Sequence, residues 1–277
     1  MSRANGGNPM TVQQVIVACD LDDFIIYTRW RYTEAKLKCA AIIVRALAGR
    51  APYDPEQLMD DLFRRNQGID KKLMEELGFS PHRFPQSWVD TYREICREKG
   101  VEFDSDVAGK VRNAAKKFNH GPFRASPEAI ETLRVLQAAG YGLHLVTAGD
   151  VAQQRHKIRQ SGLESFFGEH IHIVDMDKQP VLKGLAESGA KHVFMAGDSL
   201  RADIEPALRA GVHAVWVPTH GHWQWDDAEV DMSKVTELTS IMELPEHIRK
   251  IVGRKRKPAK KKRAKAGRDS AKQQATA

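Results

Sequence analysis

The sequence predicts an α/β fold, a doubly wound parallel sheet with an all-helical segment inserted after its first strand. Three observations lead there. The apolar run Val15-Ile16-Val17-Ala18-Cys19 is followed within four residues by the carboxylates Asp20, Asp22 and Asp23. Residues 28–120 then carry helical periodicity throughout. From residue 126 onward, short apolar runs alternate with amphipathic ones, as strands alternate with helices around a parallel sheet.

The opening run, residues 14–19, has the length and continuous apolarity of a strand covered on both faces. In the helical block, Arg31 to Leu47 is amphipathic and stops at Gly49. Asp54-Pro55 supplies an N-cap and a proline at the first helical position for the next segment. Periodic runs follow at about 86–99 and 104–118, and Gly121-Pro122 closes the block. Ser126-Pro127-Glu128 then starts a helix that ends near Gly140. GLHLVT reads as a strand, Asp150 to Ser161 as a helix, HIHIV as a short strand and Lys178 to Ser188 as a helix. HVFMAG (strand), Ala202 to Ala210 (helix) and VHAVWV (strand) complete the alternation. The expected organisation is an α/β core of residues 1–26 and 121–250, a helical cap of 27–120, and a tail of 251–277.

With 277 residues, 42% hydrophobic and 29% charged, the chain has enough apolar content to bury a core, which excludes disorder throughout. No window approaches the ~18 consecutive apolar residues of a membrane span. The N-terminal MSRANGGNPM lacks the apolar centre of a signal peptide, and Cys19, Cys39 and Cys96 are scattered and odd in number, so a reducing cytoplasm is expected. Cys19 lies inside the strand pattern and reads as packing rather than as a nucleophile. The formal charge of +7 is a property of the tail. Residues 253–277 hold 11 Lys and Arg against one Asp, leaving 32 against 35 acids, a net of −3, in residues 1–252. Such a tail cannot bury enough to order itself. It could hold nucleic acid or another polyanion by counterion release, or serve as a solvated extension.

In open parallel sheets the ligand site lies beyond the carboxyl ends of the strands. Asp20 and Asp22 are two apart, so in extended chain they leave the same face and can flank one reacting atom, while Asp23 points the other way. Close carboxylates repel unless one is protonated or a cation sits among them. Asp198, after Gly197 at a strand end, and Asp203, a turn later, add oxygens to a hard-ligand set suited to Mg²⁺. Thr147 ends its strand with a hydroxyl, and the amides of Ala148 and Gly149 precede a helix N-terminus that favours an anion. Lys178, ahead of a helix with Pro180 near its start, adds a positive charge. A divalent cation, a hydroxyl, amides and a lysine around a carboxylate suit phosphoryl chemistry with the carboxylate as nucleophile.

The stretches ACDLDDFI, LHLVTAGD, DKQP and AGDSLRAD, in that order, resemble the four motifs of the haloacid dehalogenase-like (HAD) hydrolase superfamily. The helical block resembles that family's cap, and the likeness covers about residues 14–245. The resemblance implies a Rossmann-like core and a role for each position. Asp20 would be the nucleophile that forms an aspartyl-phosphate, and Asp22 the acid that protonates the leaving oxygen and then activates water. Thr147, Ala148 and Lys178 would bind the phosphoryl group. Asp198 and Asp203, with Asp20 and the backbone carbonyl of Asp22, would hold Mg²⁺. Lys157 and Lys183 compete with Lys178 for the lysine role; Lys178 is preferred because it follows HIHIV and precedes a proline-started helix.

One residue departs from that pattern. Phe24 stands where the family usually has Thr or Val, and its side chain is expected to fill space near the cap hinge. His220, His222, Trp223 and Trp225 read as a surface loop, and Trp30, Tyr32 and Trp88 as packing inside the cap. A dehalogenase would not need Asp22, whereas a phosphomutase would keep all four motifs. The expected function is therefore a Mg²⁺-dependent, cytoplasmic phosphohydrolase acting on a small phosphate monoester. The alternative is a catalytically weak relative that acts through nucleic acid held by its tail.

Overall fold

The computed structural model describes residues 14–50, 54–219, 226 and 228–253. Its strands are β1 (Val15–Cys19), β2 (Gly142–Ala148), β3 (Ile171–Val174), β4 (His192–Gly197), β5 (His213–Trp216) and β6 (Val235–Glu237). All neighbours pair in parallel in the order β3-β2-β1-β4-β5-β6. The chain thus winds outward from β1 in both directions, and β1 is where the winding reverses.

The helices are α1 (Arg29–Leu47), α2 (Pro55–Leu77), α3 (Arg83–Lys99), α4 (Ser105–Lys116), α5 (Pro127–Ala138), α6 (Val151–Gln160), α7 (Glu164–Phe167), α8 (Gln179–Glu187), α9 (Glu205–Ala210) and α10 (Leu244–Val252). The alternation of β1 divides its side chains between two cores, as a period of two requires. Val15, Val17 and Cys19 join Leu133 and Leu136 of α5 and Leu244 and Ile248 of α10 on one face. Ile16 and Ala18 join Leu182 of α8 and Ala207 of α9 on the other. Both faces being covered explains why β1 reads as a continuous apolar run.

Between β1 and α5, helices α1–α4 bury a third cluster of their own around Trp88, Tyr92, Ile43 and Leu62. Asp54 caps α2 by accepting from the Gln57 N–H at 2.8 Å, and Ser126 caps α5 by accepting from the Ala129 N–H at 3.1 Å. Of the aromatics expected inside this block, Trp88 is fully buried and Tyr32 packs on Phe84 and Phe118. Trp30 is instead 54% exposed, with the Arg31 guanidinium over its ring. This corrects the expectation that Trp30 packs inside the cap: it stands in the first turn of α1, outside the helical cluster.

The sequence reading lacks β6, α7 and α10. Strand β6 has only three residues, too few for a visible alternation. Helix α10 runs through Val252, with Ile251 and Val252 packed on the core, so the chain stays ordered past the expected start of the tail. The basic segment beyond Gly253 and the residues His220, His222, Trp223 and Trp225 lie outside the described residues. Among the described residues no helix is long and apolar enough to cross a membrane. All three cysteines are buried thiols, and burial, helped by the charge of Asp20, pushes the Cys19 thiol up to about 12.

Two stability predictions follow from this packing. Trp88→Ala removes a fully buried indole from the α1–α4 cluster and should cost about 3–5 kcal/mol in urea unfolding. His144, on β2, is buried with its Nδ1 3.1 Å from His172 Nε2 and its ring beside His170. Burial first, then the neighbouring histidines, lower its pKa from 6.5 to about 4. Between those values the unfolded chain holds the proton and the folded one does not, so stability falls as pH drops from 6.5 toward 4. Urea titrations should show a shallower decline across that window in His144→Gln, with parallel behaviour above it.

Candidate functional site

The carboxyl ends of β1, β2 and β4 meet at the winding reversal, where a parallel sheet opens a crevice. Asp20 follows β1 directly, its N–H donating to the Ala196 carbonyl at 3.0 Å, so the β1–β4 pairing continues into the site. Asp198 follows β4, and Asp203 lies in a π-helical turn, Leu200–Ile204, that precedes α9. The sequence reading expected one helix from Ala202. The wider turn brings the Asp203 carboxylate back under the end of β4, where its Oδ2 accepts the Ser199 N–H at 3.0 Å. Gly197 makes this approach feasible: a Cβ there would fall 2.2 Å from Asp203 Oδ2.

Asp20, Asp198 and Asp203 each present an oxygen within 4.8 Å of the others. Between two of them stands Lys178, only 1% exposed, whose Nζ donates to Asp20 Oδ1 and, at 2.6 Å, to Asp203 Oδ1. Burial alone would lower the pKa of this ammonium, but Asp20 and Asp203 carry it above its ordinary value. Burial pushes the Asp20 carboxyl up to about 7, with the charges of Asp203 and Asp22 adding to it and Lys178 opposing. Asp198 is held well above the ordinary carboxylate range by burial and then by Asp203 and Asp20. Three carboxylates against the Lys178 ammonium and the Arg29 guanidinium, which lies 3.1 Å from Asp198 Oδ2, leave a formal deficit of one positive charge. An all-oxygen donor set with that deficit fits a hard divalent cation.

The other lysines fall elsewhere. Lys183 is exposed on α8, and Lys157 on α6 donates to both oxygens of Asp22, at 2.9 and 2.8 Å. The Asp22 side chain is thereby turned to α6 and stands outside the three-carboxylate group. Thr147 is buried at the end of β2, and its Oγ1 lies 2.7 Å from Gln154 Nε2. That amide also reaches Asp22 Oδ2 at 2.9 Å and the Ala148 carbonyl at 3.0 Å. The amide of Gly149, expected to face an anion, donates instead to the Val174 carbonyl at 2.9 Å, because β3 extends its pairing past Ala148.

Several groups at the site went unread in the sequence. The sequence reading does not single out Gln154 and weighs Lys157 only for the place that Lys178 takes; the two are three apart on α6, and that spacing, counted from Thr147, is the signal that would have placed both beside Asp22. Arg29 opens α1 and donates to Asp198 Oδ2 at 3.1 Å, while Thr219 donates to the same oxygen at 3.2 Å and Trp216 Nε1 to the Asp198 carbonyl at 2.8 Å. Asp23 has a structural task. It takes the left-handed backbone conformation (φ 61°), and its Oδ1 accepts the N–H groups of Thr28 and Arg29 at 2.9 and 2.8 Å, tying down the start of α1. Phe24 is buried with Leu21, Ile25 and Phe123 in the β1 core and is absent from the cavity wall. The tight turn at Asp23 folds the chain back and carries Phe24 inward, into the cluster that also holds Phe123 from the other end of the helical segment.

Above the carboxylates lies a cavity of about 340 Å³. Its floor is the set of strand ends, and its roof comes from α1, α2 and the start of α3, including Tyr32, Lys36, Asp70 and Arg83.

The description "Haloacid dehalogenase-like hydrolase" matches residues 68–217, a span that holds Thr147, Lys178, Asp198 and Asp203 and begins after Asp20 and Asp22. Glyceraldehyde 3-phosphate phosphatase of Pyrococcus abyssi (strain GE5 / Orsay) is 28% identical over 209 residues, which is 73% of this chain and 80% of that protein. A haloacid dehalogenase-like family hydrolase from Xanthomonas campestris superposes with a TM-score of 0.63 at 22% identity, over 86% of this chain and 96% of that one. A HAD phosphatase from Thermococcus onnurineus does so with a TM-score of 0.51 at 20% identity, over 86% and 97%. At those identities the two structures speak for the fold.

Removing the buried ammonium while keeping the carboxylates isolates its electrostatic role. Lys178→Met should destabilise the metal-free protein by about 3–5 kcal/mol in urea unfolding, since it leaves Asp20 and Asp203 buried without their cation. Phe24→Ala should cost a similar ~3–5 kcal/mol through its core cavity, with no change in ligand preference.

Proposed function

The chain is a haloacid dehalogenase-like hydrolase, and on that premise we propose that it is a Mg²⁺-dependent phosphatase acting on a small phosphate monoester through an aspartyl-phosphate intermediate. The observation that carries this reading is the buried group of Asp20, Asp198 and Asp203 bridged by Lys178 at the floor of a closed-over cavity. The phosphatase relative from Pyrococcus abyssi supports the choice of phosphate ester over other hydrolysable bonds. Asp22 supports it too, since it supplies a second carboxylate for proton transfer beside the nucleophile.

Asp20 attacks phosphorus through one carboxylate oxygen. The ester P–O bond breaks as Asp22, which takes up a proton from solvent when it leaves Lys157, delivers that proton to the departing oxygen, and Asp22 then takes a proton from the water that hydrolyses the acyl phosphate. For the first transfer Asp22 turns from Lys157 and Gln154 toward the leaving group; those two residues define its resting position. Lys178, the Thr147 hydroxyl and the Ala148 backbone hold the phosphoryl oxygens and offset their charge. Mg²⁺, which Asp20, Asp198, Asp203 and the Asp22 carbonyl would hold, supplies further positive charge to those oxygens.

Residues 27–120 act in this reading as a cap on the core formed by 1–26 and 121–250. The cap excludes water during the transfer and presents its α1–α3 wall to the part of the substrate beyond the phosphate.

Hydrolysis of p-nitrophenyl phosphate in Mg²⁺ should fall by at least about a thousandfold in Asp20→Asn and in Asp22→Asn, and should be abolished by EDTA and restored by added Mg²⁺. Retained turnover in purified Asp20→Asn would overturn the nucleophile assignment. EDTA-insensitive turnover would overturn the metal.

A further inference from the structure

The roof of the cavity is not neutral. Along α1, Arg29, Tyr32, Thr33 and Lys36 are spaced i, i+3, i+4, i+7, so one stripe of the helix faces the site, and all four line the cavity. Arg29, at the lower end, reaches Asp198. Lys36 stands two turns further on, about 10 Å along the axis at 1.5 Å per residue. Lys36 thus lines the same cavity as the carboxylates, further along its α1 wall than Arg29.

The charges around Lys36 differ from those of its neighbours. Arg83 and Asp70 on the same wall form a buried ion pair with each other. Among the described residues no carboxylate forms an ion pair with Lys36, although it is half-buried and Asp70 is near enough to be felt. Burial, with Arg83 and Arg29 adding to it, draws its pKa below the ordinary lysine value, which marks a cation in want of a counter-charge. Lys36 also borders a second cavity of about 360 Å³ between α1 and α2, which shares Thr33, Asn66 and Gln67 with the first. Lys36 therefore lines both cavities.

We propose that Lys36 recognises a second anionic group on the substrate, so that the preferred substrates are short phosphate monoesters carrying a carboxylate or another phosphate at the end away from the reacting group. This rests on the phosphatase reading above and narrows it. An anion against a half-buried ammonium forms a charge-assisted hydrogen bond, stronger than a neutral one. A neutral aldehyde or alcohol at that point would leave the ammonium uncompensated.

The test measures kcat/KM in Mg²⁺ for 2-phosphoglycolate and 3-phosphoglycerate as carboxylate esters, fructose 1,6-bisphosphate as a second-phosphate ester, and glycerol 3-phosphate and glyceraldehyde 3-phosphate as neutral ones. The wild-type protein should favour one of the anionic classes over the neutral esters by about tenfold or more. Lys36→Met should bring that ratio close to one, and Lys36→Arg should restore most of it. A wild-type protein without such a preference, or a preference that survives in Lys36→Met, overturns the proposal. If no ester is turned over, the phosphatase reading fails. Calorimetric titration with the same esters then decides this inference alone: tighter binding of an anionic class that is lost in Lys36→Met upholds it, and equal binding overturns it.

Discussion

The structure turns on gathering like charges where water cannot screen them. Asp20, Asp198 and Asp203 come within 4.8 Å of one another under a roof of helices. Burial and mutual repulsion both oppose their ionised forms, so the arrangement requires fixed positive charge at short range. Lys178 provides part of it by bridging Asp20 and Asp203, and Arg29 contributes at Asp198 from the first turn of α1. The proposed divalent cation would supply the remainder.

Much of the surrounding architecture serves that concentration of charge. The reversal of winding at β1 puts three strand ends side by side, and the missing side chain at Gly197 with the π-helical turn after Ser199 draws Asp203 beneath β4. Asp22, close in sequence to Asp20, is kept apart from the other carboxylates by Lys157 and Gln154 on α6. Two neighbouring acids are therefore held in two electrostatic settings, one among carboxylates and one against an ammonium. The helical segment lines the cavity from above, and Asp23 fastens its first turn to the end of β1.

The acidic run after β1 shows how far local pattern carries. Period two pairs Asp20 with Asp22 and sets Asp23 apart, yet in the structure Asp22 turns to α6 and Asp23 also lines the cavity. The period also says nothing of the turn in which Asp23 takes a left-handed conformation. That turn sends Phe24 into the core and makes Asp23 a backbone acceptor. The same limit explains Gly149. As a glycine before a helix it suggests an open amide, yet pairing with Val174 of β3, 25 residues away in sequence, occupies it. Trp30 and Tyr32 are two residues apart on one helix and meet opposite fates, exposed and enclosed, because α1 has two different surroundings.

The sequence by itself determined the α/β alternation, the inserted helices, the caps at Asp54 and Ser126, and the strand-end positions of Asp20, Thr147 and Asp198, since each depends on periodicity or on neighbours a few residues apart. Only the tertiary structure decided which lysine meets which carboxylate, that β6 and α10 complete the sheet and its cover, and that Lys36 shares a wall with Arg83 and Asp70. Those relations join residues tens to more than a hundred positions apart. Their geometry is set by how helices pack and where the sheet reverses, and side-chain charge at such separations in sequence leaves no local pattern from which distance could be read.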